Sequence, residues 1–282
     1  MRVFANKFLL AVLSLSMMSP CLAAEEAAVP GANPPQGENA AKPTETTAAP
    51  SPEEAIQKAK QEVARKRFGD AKLVLKQSLA GNQHSVPLYM ELYDVSVKSN
   101  DWSDAFNSLE KVMEIDLDKE KDIYADYGYT LYKLKRYDKA KLAFARALSF
   151  GKNKDLIHKT LMQIALQEKD EPTADYEYKE YLKVKPNDGD MHWEYANFLY
   201  KGKKLKESIP EYKLAAQYRP NDGYGHGFLA QLLLIEKDYD GAMAEYKKAI
   251  STSTPESANA YRDGLKYAMA QKKASQPAAP AK

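Results

Sequence analysis

Cysteine is almost missing from this chain: Cys21 is the one copy, and it lies in the opening segment, residues 1–24. Beyond it no disulfide framework, thiolate nucleophile or thiolate metal site can be built. Long apolar runs are scarce too. The run from Phe8 to Met18 has about 11 residues, against the roughly 20 needed to span a bilayer. Charge of one sign is also lacking. Without Arg2 and Lys7 the chain carries 39 basic and 39 acidic residues, because residues 1–24 include no acid. Such a balance offers nucleic acid no basic face to displace its counterions, and anionic membrane is not favoured either.

Signatures of catalysis are absent as well. The chain has no phosphate-cradling loop, no serine nucleophile elbow and no His-Glu-x-x-His run. The glycines of Gly223-Tyr224-Gly225-His226-Gly227 follow no strand, so they are not a dinucleotide fingerprint. Acidic pairs such as Glu53-Glu54 suit a solvated helix start. We therefore expect no enzyme, no cofactor and no catalytic residue.

Residues 1–24 have the layout of a secretory signal peptide: Arg2 and Lys7, then the apolar run, then Ala23 and Ala24 before Glu25. Cleavage near Ala23 or Ala24 would leave an exported, periplasmic protein without a stable membrane span. Pro20 immediately before Cys21 argues against acylation of that cysteine. Residues 25–51 are rich in Ala, Pro and Thr and contain no aromatic residue, the composition of a disordered tether. Residues 274–282 form a similar tail.

What the chain does have is a 34-residue beat. Pro186 and Pro220 sit in matching strings, Lys185-Pro186-Asn187-Asp188-Gly189 and Arg219-Pro220-Asn221-Asp222-Gly223. Ala140, Ala174, Ser208 and Ala242 keep the beat, and so do Phe144, Tyr178, Tyr212 and Tyr246. His158, His192 and His226 follow it as well. A fixed period of this length indicates stacked units, none able to bury its apolar face alone. The frame is 52–85, 86–120, 121–154, 155–188, 189–222 and 223–256, followed by a capping helix at 257–273. Within a unit, apolar residues recur at helical spacing. His192, Tyr195, Ala196 and Leu199 share one face, Lys201-Gly202-Lys203 breaks the helix, and Ser208, Tyr212 and Ala215 share the next face. Asp188 and Asp222 are placed to cap the helices that follow, and Pro172 suits a first turn. The stack spaces its histidines by about 10 Å, since packed helices lie 8–10 Å apart. That is too far for one ion, so packing rather than metal binding is expected of them.

These residues resemble the tetratricopeptide repeat family, whose pattern is W-x2-L-G-x2-Y, then A-x3-F, then P. The third unit follows it with Tyr124, Tyr127-Gly128, Leu131, Tyr137, Ala140, Phe144 and Ala147-Leu148. The first unit is degenerate, and the fourth has Glu171 where an aromatic is usual. The resemblance implies an all-α fold: a right-handed α-solenoid of six helix-turn-helix repeats plus a C-terminal capping helix. It also implies that first helices line a groove for extended segments of a protein or peptide partner. Carried onto this chain, the groove residues are Tyr129, Tyr132, Gln163, Trp193, Asn197, Tyr200, Tyr224, Gly227 and Gln231. Their rings supply area, and their amides can pair with an exposed peptide backbone. The missing side chain at Gly227 is expected to open a pocket bounded by Trp193, Tyr200 and Tyr224. The implied role is a non-catalytic interaction scaffold of the bacterial cell envelope. Two alternatives stay open: a glycan-handling part of an exopolysaccharide or envelope assembly machine, and a scaffold that self-associates.

Overall fold

The computed structural model describes residues 50–276. The expected signal segment, the tether up to residue 49 and the end of the tail from residue 277 lie outside them. Among the described residues the chain is helical throughout and contains no strand: an all-α helical repeat solenoid.

The helices run in pairs. They are α1 (Pro52–Ala64) with α2 (Phe68–Gly81), α3 (Val86–Lys98) with α4 (Trp102–Ile115), and α5 (Glu120–Lys133) with α6 (Tyr137–Ser149). Then come α7 (Lys154–Glu168) with α8 (Glu171–Val184), α9 (Gly189–Lys201) with α10 (Leu205–Tyr218), and α11 (Gly223–Ile235) with α12 (Tyr239–Thr252). The chain closes with α13 (Pro255–Ser275), which begins before and ends after the segment expected for a cap. A short 3-10 turn at Leu117–Lys119 absorbs the one extra residue of the second unit. Each helix packs against its neighbours in sequence, and first helices also meet the next first helix at α1–α3, α5–α7 and α11–α13.

Every pair turns in the same way. One residue adopts the left-handed conformation, at Lys66, Asn100, Lys135, Lys169, Lys203 and Lys237. The next N–H then reaches back to a carbonyl five residues earlier: Arg67 to Glu62, Asp101 to Ser96, Arg136 to Leu131, Asp170 to Ala165, Lys204 to Leu199 and Asp238 to Leu233, all at 2.8 or 2.9 Å. This is a Schellman closure, which satisfies a carbonyl that the helix end would otherwise leave open. Asp188 and Asp222 do cap α9 and α11, accepting from the backbone N–H of Met191 and Gly225. Pro172 lies in the first turn of α8, whereas Pro210 sits inside α10, where it has no N–H to give.

Rings and small residues build the core. Ala140, Ala174, Ser208 and Ala242 are fully buried, and Phe144, Tyr178, Tyr212 and Tyr246 are buried beside them. Gly128 makes room for the Phe144 ring: a side-chain carbon there would lie 2.7 Å from it. The same device holds the last helix. A carbon at Gly264 of α13 would lie 2.5 Å from the Tyr246 ring, and one at Gly227 of α11 would lie 2.3 Å from the Tyr261 ring. Tyr261 stands one period after Gly227, so α13 occupies the place of a seventh first helix. This corrects the pocket expected at Gly227. Its missing side chain leaves no space for a ligand, because the Tyr261 ring fills it.

Gly227→Ala should therefore loosen α13 at a cost of about 1–3 kcal/mol, the usual penalty of overpacking. Hydrogen exchange should rise across residues 255–275 and stay unchanged in α1 to α6; uniform exchange in variant and parent would contradict the interlock.

Candidate functional site

Two groups of rings are built around first-helix residues, with Trp102, Tyr137 and Tyr212 joining from second helices. In the N-terminal group, Tyr129 meets Trp102 edge-on at 5.9 Å and lies 6.0 Å from Tyr132, which lies 6.0 Å from Tyr137. The Lys133 ammonium sits 4.9 Å from the Trp102 ring centre, a cation–π distance. In the C-terminal group, Trp193 meets Tyr212 at 4.9 Å, Phe228 at 5.6 Å and Tyr224 at 5.9 Å, with the Arg219 guanidinium 5.1 Å away. Tyr200 joins through Phe228 at 5.8 Å. Trp193 is thus half-buried packing, while Tyr200 and Tyr224 remain 40% and 64% exposed. Among the described residues no ring contact joins the two groups.

Between the groups lies a depression of about 430 Å³ lined by Leu166, Tyr178, Glu194, Asn197, Phe198 and Lys201. A second, of about 310 Å³, shares Leu166, Phe198 and Lys201 and adds Ala165, Lys169, Glu171 and Gly202. The two form one trough between the fourth and fifth units. Burial and the Glu194 carboxylate push the Tyr178 hydroxyl up to about 12, so it stays a neutral donor at its wall. Phe198, Glu194 and Lys201 were not expected as site residues, because nothing in the 34-residue beat separates the wall of a trough from a solvated face.

Asn197 is less free than its sequence position suggests. Its amide N–H donates to the Trp193 carbonyl at 2.9 Å, and its carbonyl accepts from the Tyr212 hydroxyl at 2.8 Å. One N–H and one lone pair remain for a ligand. Gln163 is half-buried near the centre of the stripe, Gln231 is exposed, and Gly227 is covered by Tyr261.

The N-terminal part of the same face is acidic, a feature that the motif reading missed. Asp94 stands in the register of Tyr129, Gln163 and Asn197, and Asp126 lies close to it. Burial and the Asp94 charge hold the Asp126 carboxyl above the ordinary carboxylate range, and the Tyr93 hydroxyl offsets part of this. Burial raises Asp94 too, against the pull of Lys98 and Lys60.

The three periodic histidines are buried inside their pairs. Each Nδ1 meets a carboxylate oxygen 19 residues on: Glu177 at 2.7 Å, Glu211 at 2.7 Å and Glu245 at 2.6 Å. In two of them Nε2 also reaches a proline carbonyl, Pro186 at 2.9 Å and Pro220 at 3.1 Å. A carbonyl only accepts, so Nε2 donates. The remaining Nδ1–carboxylate contact then needs a proton of its own, on one atom or the other. These are hydrogen-bonded couples, each with a buried ring, that join first helix to second; only Glu177 is itself buried. Their glutamates keep the 34-residue beat as well, a signal present in the sequence that went unread. Among the described residues no group of three His, Cys, Asp or Glu side chains is placed to hold a metal ion.

Residues 122–150 and 225–253 match a family model described as the tetratricopeptide repeat. Among solved structures, pilF of Pseudomonas aeruginosa is similar over 75% of this chain and 96% of its own, at 20% identity and a TM-score of 0.51. The C-terminal part of a TPR repeat-containing protein from Cytophaga hutchinsonii is similar over 80% of this chain and 96% of its own, at 15% identity and a TM-score of 0.59. Among curated proteins none matches the chain in sequence. Identities this low speak for the fold alone.

Two measurements test the interior. Glu211→Ala strips a buried ring nitrogen of its partner and should cost about 1–3 kcal/mol. Glu211→Gln keeps a donor for that nitrogen and should cost clearly less; equal losses in thermal unfolding would reject the couple. The second test follows from Asp126. A carboxyl raised in the folded state binds its proton more tightly there than in the unfolded chain. Its penalty is absent at low pH and appears as pH rises through the raised value. Asp126→Asn should therefore stabilise the protein at neutral pH and make less difference in acid.

Proposed function

We propose that the chain is a non-catalytic protein–protein interaction scaffold whose first-helix face holds an extended segment of a partner; its match to the tetratricopeptide repeat model over residues 122–150 and 225–253 supports this reading. The observation that carries this is the trough over Leu166, Phe198 and Lys201, set between two groups of rings. It offers apolar walls for alternate side chains, and Glu194, Lys201 and the spare Asn197 hydrogen-bonding groups orient a backbone. The exposed rings of Tyr200 and Tyr224 extend it toward the C-terminal end. Toward the N-terminal end the face turns acidic at Asp94 and Asp126, which suits a partner segment with a basic residue at that end.

We place the scaffold outside the cytoplasm, in the cell envelope, on the strength of the signal-like layout of residues 1–24. Among the described residues no helix is long and apolar enough to cross a membrane.

A photoreactive side chain at Tyr200 should capture a partner in intact cells, and the same group at Leu142, 73% exposed on a second helix, should not. Leu166→Asp should abolish the capture while leaving the helical content unchanged. Equal capture from both positions, or capture indifferent to Leu166→Asp, would remove the groove from consideration.

A further inference from the structure

The edge formed by the six turns within the pairs has a charge pattern that the groove does not use. Each turn runs from the residue before the left-handed one to the third residue of the second helix. In the first, Arg65, Lys66 and Arg67 face only Asp70; in the third, Lys135, Arg136 and Lys139 face only Asp138; in the fifth, Lys203, Lys204 and Lys206 face only Glu207. The even turns are the reverse. The second has Asp101 and Asp104 with no base, the fourth has Glu168, Asp170 and Glu171 against Lys169, and the sixth has Glu236, Asp238 and Asp240 against Lys237. Counted over the turn residues, the sign therefore alternates from one unit to the next.

Local structure explains only half of this. In the even turns Asp101, Asp170 and Asp238 accept from backbone N–H groups and cap their helices. In the odd turns the capping positions hold Arg67, Arg136 and Lys204, with no side-chain cap. A cation at the positive end of a helix is unfavourable, and in the odd turns Lys66, Lys135 and Lys203 take a backbone conformation that favours glycine or asparagine, as Lys169 and Lys237 do in the even ones. Residues that oppose their own local structure point to a use elsewhere.

Of these cations only Arg65 and Arg67 are held by a bridge inside the chain, both to Glu62 at the end of their own first helix. Lysines from outside the turns do pair with some even-turn acids: Lys72 and Lys76 with Asp101 and Asp104, Lys141 with Glu168, and Lys272 with Asp240. Among the described residues Asp170, Glu171, Glu236 and Asp238 make no ion pair. Among the described residues Lys66, Lys135, Lys139, Lys203, Lys204 and Lys206 make no ion pair, and all are exposed.

We propose that this edge is a docking surface for a second copy of the chain, laid antiparallel about a two-fold axis between the third and fourth units. A partner of uniform charge would be repelled at every other turn. A second copy running parallel would set like against like. Run antiparallel, the third turn meets the fourth of the other copy, the second meets the fifth and the first meets the sixth. Because the number of units is even, each contact sets a basic turn against an acidic one; unpaired acids are offered by the fourth and sixth turns, while Asp101 and Asp104 of the second already pair with Lys72 and Lys76. Such an interface is self-complementary, as two-fold symmetry requires. Successive units of a solenoid rotate, so the central turns carry most of the contact. The first-helix face stays open.

Charge reversal with rescue tests this. One variant carries Lys135→Glu, Arg136→Glu and Lys139→Glu; the other carries Glu168→Lys and Glu171→Lys, leaving the cap Asp170 in place. By sedimentation, the parent should show a doubled mass at about 10 mM salt, where charges act over about 30 Å, and a single mass near 1 M, where they act over about 3 Å. Each variant alone should stay single at low salt, and an equimolar mixture of the two should regain the doubled mass. Circular dichroism of each variant confirms that it is folded. A parent that stays single at every salt concentration, a doubled mass indifferent to the reversals, or a mixture that fails to pair would each overturn the proposal.

Discussion

The structure depends on one wedge repeated along the stack: an aromatic ring on each later second helix, driven between its own first helix and the next. Phe144 presses on Gly128 of its own pair. Tyr178 stacks on Tyr195 of the following unit at 5.0 Å. Tyr212 bonds Asn197 in its own unit and meets Phe228 of the next at 5.1 Å, and Tyr246 closes on Gly264 of α13. A helix pair cannot bury both faces of such a ring. The ring therefore commits each unit to having a successor, and the last successor is α13.

This wedge accounts for the fate of the two residues that looked most available for recognition. Trp193 and Gly227 share one register position, and both are used by the stack. Trp193 packs under Tyr224, Phe228 and Arg219, and Gly227 receives Tyr261. What remains for a ligand lies beside them, in the trough over Leu166 and Phe198, where neighbouring units leave a gap that the wedge does not fill. The acidic end at Asp94 and Asp126 arises in a similar way: helices α3 and α5 bring together two carboxylates that are far apart in the chain.

The histidine couples lie one layer further in. They join first helix to second within the pairs of α7 to α12. A polar couple there demands a partner for each buried atom, and it ties the pair in one register more strictly than an apolar contact would. The turns at the edge answer a different demand. Their backbone is the same in every unit, since the Schellman closure sets it, and their side chains differ in sign on that common frame.

Periodicity and turn chemistry, both properties of single segments, were legible in the sequence. The 34-residue beat, the helix pairs, the caps at Asp188 and Asp222 and the rings at 144, 178, 212 and 246 follow from local spacing and helical geometry. The glutamates paired with the histidines were legible by the same rule, since they keep the beat. Only tertiary structure could decide which surface is left over. The filling of Gly227 by Tyr261, the tying of Asn197 by Tyr212 and the trough at Phe198 each depend on atoms from another helix. A repeat encodes the contacts it makes with identical neighbours; where the neighbours differ, or the stack ends, packing alone determines what stays open.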